Sequence, residues 1–332
     1  LTLYALRAPA VSSRVSFSWV SRESLLLANN VVFLVATLTV LFGTLFPLIM
    51  DALGQGKYSV GPPYFNAVFV PLMALLAPFM GIGPLSRWKR DTGTRWRNEL
   101  LIPAVAAVAC AVTLPLLQAE YNLWVALAVL LASWLVFGML RDLWNRLRTA
   151  SSLGRGLRRL APSYWGMFFA HFGFAACVVG VVATSQYSIE NDLKMQPGEV
   201  QELAGYQFRF LAVEPVRGPN FVADEARFEV TRNGEFVAAL APQKRRYLAG
   251  GSIMTEAAID PGLFRDLYVA MGEPIGDQGA WAIRLHYKPM VRWMWLGAIF
   301  MGLGGIVTTF DKRYRRQRRA AAATEPGAQY AG

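Results

Sequence analysis

The sequence predicts a polytopic α-helical membrane protein, with about six transmembrane helices in this chain and a small β-rich domain inserted outside the membrane. Three observations predict it. Hydrophobic residues fill 54% of the 332 positions and the mean hydropathy is positive, too apolar for a soluble chain with a formal charge of +11. Six apolar runs approach the length of about 20 residues that crosses a bilayer. The segment between the fifth and sixth runs is instead polar, with the near-alternation of strands.

Residues 1–28 form a polar segment containing Arg7, Arg14 and Arg22. At its start, LTLYAL (1–6) reads as the last turns of a membrane helix that begins earlier, and no signal-peptide pattern opens the chain. A C-terminal piece of a longer protein is therefore expected. Residues 29–185 hold five expected spans, at 29–50, 66–84, 100–117, 121–140 and 164–185. Pro47, Pro71, Pro78 and Pro103 fall in or near them and predict kinked or packed helices. The sixth span is expected at 291–310. Arg292 opens it beside Trp293 and Trp295, where an arginine snorkels to the interface next to an aromatic belt.

Basic residues settle the orientation. Arg87, Lys89, Arg90, Arg95 and Arg97 follow the second span. Arg141, Arg146, Arg148, Arg155, Arg158 and Arg159 follow the fourth, and Lys312 to Arg319 follow the sixth. Six crossings put all three groups, and the N-terminal segment, on one side, the cytoplasm. The opposite loop 51–65 has Lys57 as its single basic residue. The basic tail 311–332 needs no role beyond stop-transfer anchoring, and its final AAATEPGAQYAG is expected to be disordered. Positive charge distributed in this way serves topology. The expected partner is the lipid bilayer, with no nucleic acid.

Residues 186–290 then lie outside, and acidic residues outnumber basic ones there. YQFRFLAVE (206–214) and WAIRLHYK (281–288) alternate as strands do. ARFEVTR and EFVAAL flank Asn233-Gly234, which predicts a hairpin with a two-residue turn. KRRYLA and DLYVAM are further strand candidates. Cys110 and Cys177 both sit in apolar runs with no CxxC, and read as small buried hydrophobes without thiol chemistry.

His171 is the residue with chemical potential. It lies inside YWGMFFAHFGFAACVVGVVAT (164–184), and an ionisable side chain at that depth is costly. It reads as a metal ligand or proton relay, or else as an imidazole packed against a neighbouring helix. Gly166, Gly173 and Gly180 recur every seven residues, a stripe that drifts only about 20° per step. Such a stripe seats one helix closely against another. His171 lies about 140–160° around the helix from it. Ala175 leaves space beside the ring, and Met167, Phe168, Phe174 and Val178 complete an apolar wall. Such a wall suits a porphyrin and is equally ordinary membrane-helix composition. His286, the other histidine, reads as a surface or interface strand residue without chemistry. A transporter would show an inverted repeat and polar groups at the midplane; no repeat is seen, and the spans hold few charged residues apart from the flanking ones. A non-catalytic assembly scaffold remains open at this point.

SRESLLLANN (21–30), GTLFPL (43–48), SVGPPYFN (59–66), GPLSRWKRD (83–91), TEAAIDPGLFRDLYVAMGE (255–273) and KPMVRWMWLGAIFMGLGG (288–305) with DKRYR together resemble the C-terminal half of the CcmF family. That family comprises the haem lyases of cytochrome c-type biogenesis. The resemblance implies a multi-pass protein of the bacterial inner membrane, with 186–290 periplasmic and the C-terminus cytoplasmic. It implies a haem b held between two transmembrane histidines, one of which corresponds to His171 in FFAHFGF. It also implies electron transfer from quinol to a transiently delivered haem. The implied partners are the haem chaperone CcmE, apocytochrome c and a thiol-handling CcmH-type component. The family's tryptophan-rich outer motif, the two histidines flanking it and the second transmembrane histidine do not occur in this sequence. The resemblance places them upstream of Leu1, in a missing half or a companion chain. A paralogous lyase serving a nitrite reductase is the alternative within the family.

Overall fold

The computed structural model describes residues 18–19, 21–89, 91–117, 121–276 and 279–311. Arg7, Arg14, Arg90, the basic tail from Lys312 and the expected disorder of the last residues lie outside the described residues. The chain divides into two compact units. One comprises 1–119, 129–171 and 306–332. The other comprises 120–128 and 172–305.

Seven α-helices are described: α1 Arg22–Ala52, α2 Pro62–Ile82, α3 Gly93–Thr113, α4 Leu123–Leu147, the short α5 Leu153–Arg159, α6 Pro162–Tyr187 and α7 Val291–Thr309. Local signals place their starts. Ser21 caps α1 by accepting the Ser24 backbone N–H at 3.2 Å. Pro62 and Pro63 open α2, where a missing N–H costs nothing. The hydroxyl of Tyr64 on α2 donates to the Thr39 carbonyl at 3.1 Å, tying α2 to α1.

Among the described residues, five helices are long and apolar enough to cross a membrane: α1, α2 with its 3-10 extension to Leu85, α4, α6 and α7. The expected span at 100–117 falls on α3 and the 3-10 turn that follows it, which are not among these five. Arg95, Arg97 and Glu99 occupy the first turns of α3, and beyond Thr113 the chain tightens into a 3-10 turn, Pro115–Leu117. The apolar α-helical part, 100–113, rises only about 21 Å, short of the bilayer core of about 30 Å. Glu99 is held at that polar end by Arg141 Nε at 3.0 Å and Asn145 Nδ2 at 2.8 Å, both on α4.

The second unit contains a β-sandwich. Its strands are β1 Ile189–Met195, β2 Val200–Leu203, β3 Tyr206–Arg217, β4 Phe221–Arg232, β5 Glu235–Leu240, β6 Gln243–Tyr247, β7 Ile253–Glu256, β8 Ala258–Pro261, β9 Arg265–Ile275 and β10 Ala280–Pro289. One sheet runs β1-β10-β9-β8. The other runs β2-β3-β4-β6-β7, with β5 also paired to β4. Period-two burial drives the packing. Tyr206, Phe208 and Phe210 point inward on β3 while Gln207 and Arg209 point out. Phe210 stacks on Phe228 with centroids 4.8 Å apart. Met195, Leu267, Met271, Ile283 and Leu285 close the same core from the other sheet. Burying each large apolar side chain contributes about 1.5–3 kcal/mol. The Asn233-Gly234 turn joins β4 to β5 as expected, with positive φ at both residues. β1, β2, β7 and β8 were not anticipated. They are short or largely exposed, and β1 is an edge strand, so their alternation is weak.

Candidate functional site

α6 spans Pro162–Tyr187 and carries the apolar run 164–184. His171 sits half-buried in its middle. The ring nitrogen Nδ1 lies 2.8 Å from the Met167 carbonyl, one turn back. A carbonyl only accepts, so Nδ1 carries the proton and donates. In its neutral form the ring then carries its lone pair on Nε2. Histidines that ligate metals commonly have their second nitrogen anchored in this way, to a carbonyl or carboxylate. Chemically the arrangement can offer one imidazole lone pair to a metal held on its other sides by something else. Among the described residues no group of three His, Cys, Asp or Glu side chains gathers to hold an ion on its own.

Aromatic rings fill α6 on the turns before the histidine. Trp165 lies 5.8 Å from Phe168 and 6.1 Å from Phe169, centroid to centroid. Of the wall read from the sequence, Met167, Phe168, Phe174 and Val178 are all half-buried, and Ala175 is buried.

Two glycines of the stripe, Gly173 and Gly180, find their neighbour in α7. A Cβ added at Gly173 would stand 2.5 Å from the Gly297 carbonyl oxygen and 2.8 Å from the Met301 nitrogen. One at Gly297 would meet the Gly173 oxygen at 2.5 Å and the Cys177 nitrogen at 2.7 Å. At Gly180 it would meet the Met294 nitrogen at 2.7 Å. The two backbones touch directly, which only glycine permits. Cys177 stands in this seam as a small half-buried residue with a free thiol. His171 is about 160° around α6 from Gly173, on the face turned away from the seam.

His286 lies on β10, paired in register with Glu190 of β1 and Tyr268 of β9. Its Nδ1 is 3.4 Å from Glu190 Oε2, and its ring meets Tyr268 edge-on at 6.0 Å. Burial pushes its pKa below the usual histidine value, partly countered by Glu190. It is a strand residue in a polar surround.

One polar site escaped the sequence reading. The carboxylate of Asp91, whose side chain is 1% exposed, accepts the Arg87 N–H at 2.9 Å, the Thr92 N–H at 2.8 Å, Arg95 Nη1 at 2.8 Å and Trp96 Nε1 at 3.1 Å. Burial opposes its charge, but these donors prevail and hold the carboxyl below its ordinary pKa. Nearby, Glu23 accepts the Lys89 N–H at 2.7 Å and Arg22 lies over the Trp88 ring at 5.0 Å. The stretch GPLSRWKRD is thus a folded loop held by acids. A lone acid inside a basic run was the available signal.

Residues 186–289 match the family model described as the CcmF C-terminal β-sandwich. The chain is 50% identical to cytochrome c-type biogenesis protein CcmF of Pseudomonas fluorescens, over 95% of this chain and 47% of the relative. It is 42% identical to the protein of the same name from Escherichia coli K12, over 96% of this chain and 48% of the relative. The chain thus spans about half the length of the curated relatives it matches. A solved structure described as cytochrome c heme lyase CcmF shares the fold, with TM-score 0.71 and 24% identity, over 88% of this chain and 46% of that one.

Proposed function

This chain belongs to the CcmF family as its C-terminal half, and from that premise we propose that it is part of a cytochrome c haem lyase and that His171 supplies one axial ligand of a membrane haem b. The observation that carries the reading is the bond from His171 Nδ1–H to the Met167 carbonyl, which leaves Nε2 as a free donor in an apolar helix. A neutral imidazole with a fixed tautomer fits one axial position of a haem iron. When bound, haem b supplies a one-electron carrier between quinol and the haem delivered for attachment. Met167 O keeps the ring from rotating and raises the basicity of Nε2. The glycine seam with α7 holds the helix that presents the ring. His286 sits on a strand of the β-sandwich and not in an apolar helix, so the second axial nitrogen is assigned to a histidine outside this chain.

In this reading the protein is a multi-pass component of the bacterial inner membrane. The β-sandwich is periplasmic, where apocytochrome c, a CcmE-type haem chaperone and a CcmH-type thiol-handling component dock. α3 and its 3-10 continuation provide a sixth crossing. Leu101, Ile102, Val105, Val108 and Val112 on it are all exposed and form a surface suited to lipid. The C-terminus then lies in the cytoplasm.

The experiment is a spectrum. The whole lyase, purified from membranes, shows b-type haem absorbance, and His171→Ala abolishes or greatly weakens it. His171→Gly recovers the signal when imidazole is added. A spectrum unchanged by His171→Ala rejects the assignment.

A further inference from the structure

The motif TEAAIDPGLFRDLYVAMGE contains the turn between β8 and β9, Gly262-Leu263-Phe264, and the reading above gives that turn no task. Its two large apolar side chains face outward, Leu263 at 50% and Phe264 at 59% exposure. The backbone beneath them is occupied. Trp293 Nε1, in the first turn of α7, donates to the Leu263 carbonyl at 3.1 Å. The Met290 N–H, just before α7, donates to the Phe264 carbonyl at 3.0 Å. The Gly262 N–H donates to Asp266 Oδ1 at 3.0 Å. Charge at the base of the turn is neutralised by the Arg265–Asp260 ion pair. The Phe264 ring lies 6.2 Å from that of Trp293.

The length of α7 sets the depth. Its 19 residues rise about 28 Å, close to the bilayer core of about 30 Å, so α7 has no turn to spare. Its first turn must stand at the boundary between headgroups and acyl chains, and Trp293 and Trp295 are the side chains that favour that layer. A turn bonded to that first turn stands at the same depth. Carbonyls satisfied by protein donors, neutralised charge and outward Leu and Phe are what such a depth requires.

We propose that the Gly262–Phe264 turn is a membrane-interface anchor, which inserts Leu263 and Phe264 at the headgroup–acyl boundary of the outer leaflet. The partner is the lipid bilayer. The anchor clamps the β-sandwich through Trp293 to the helix that follows it, giving the sandwich a third hold on the membrane besides its two chain connections. The proposal rests on the membrane-spanning reading of α7.

The test uses the whole protein in nanodiscs of phosphatidylcholine and phosphatidylglycerol, with Cys110→Ala and Cys177→Ala. A nitroxide is attached in turn at Phe264→Cys, Ile275→Cys and Ile299→Cys, and its relaxation by oxygen and by a water-soluble nickel chelate is measured. Ile275 ends β9, about 33 Å along the strand from Arg265 at 3.3 Å per residue, and serves as the water reference. Ile299, exposed on α7, is the lipid reference. The expected result is several-fold less nickel accessibility at position 264 than at 275, with oxygen accessibility approaching that at 299. Leu263→Cys gives the same pattern. Position 264 as open to nickel as 275, with 299 protected, overturns the anchor alone. Shielding of 264 from both relaxants means protein covers it and also overturns the anchor. Nickel access at 299 rejects the spanning reading and the anchor with it.

Discussion

Met167 O and His171 Nδ1 stand 2.8 Å apart, and that bond decides which nitrogen of the ring can act. Residue type and depth marked His171 in the sequence, but the tautomer needed coordinates, because a ring nitrogen's partner depends on rotamer. Asp91 shows the opposite case, a residue whose importance arises only from burial. Replacing it by Asn keeps the shape but loses the charge facing Arg95 and sets an amide N–H₂ against N–H donors. The expected cost is about 1–3 kcal/mol, read as a lower melting temperature in detergent. The pH dependence has a definite sign. The folded-state pKa is depressed, so the stabilisation is present above the ordinary carboxylate value of about 3.9 and is lost as pH falls through the lower folded value. The melting gap between wild type and Asp91→Asn should therefore be full near neutrality and narrow in acid. A gap constant across the acid range would show that the carboxylate charge contributes nothing.

At the scale of elements, the seam between α6 and α7 makes the sharpest prediction. Gly297→Val must drive methyl groups into the backbone of Gly173 and Cys177, whereas Gly302 has nothing within 4 Å of an added Cβ. The expected loss is about 1–3 kcal/mol for Gly297→Val, the usual range for overpacking. Gly302→Val should be close to neutral. Thermal melting of both variants in one detergent compares them directly, and equal melting temperatures would show that the seam is loose. The stripe was legible in the sequence because seven residues nearly complete two turns. The identity of its neighbour was not, since α7 lies beyond the whole sandwich in sequence. β3, β4, β9 and β10 were legible for a similar local reason, their alternation. β1 was not, because an edge strand such as IENDLKM carries charge outward and buries little.

For the whole molecule, the basic clusters and the helices ask different things of α3. Charge asymmetry needs six crossings, while length and composition qualify five helices among the described residues. If α3 crosses, small tags at 51–65, at 118–122 and in the sandwich are labelled from outside intact cells. A tag within 150–153 is labelled only after permeabilisation. Protection of the 118–122 tag in intact cells would remove α3 from the set of crossings. Apolar runs, charge flanks, strand alternation and the Asn-Gly turn are local properties, so the sequence by itself determined a helical membrane protein with an inserted β domain, its family, and His171 as the residue to watch. Tertiary structure decided what depends on distant surfaces meeting. It brought β1 alongside β10, pairing Ile189 with Tyr287. It set Gly173 against Gly297, and it hung the Leu263-Phe264 turn from Trp293. Those choices follow from complementary shape and hydrogen-bond satisfaction between segments far apart in the chain, and no window of neighbouring residues contains that information.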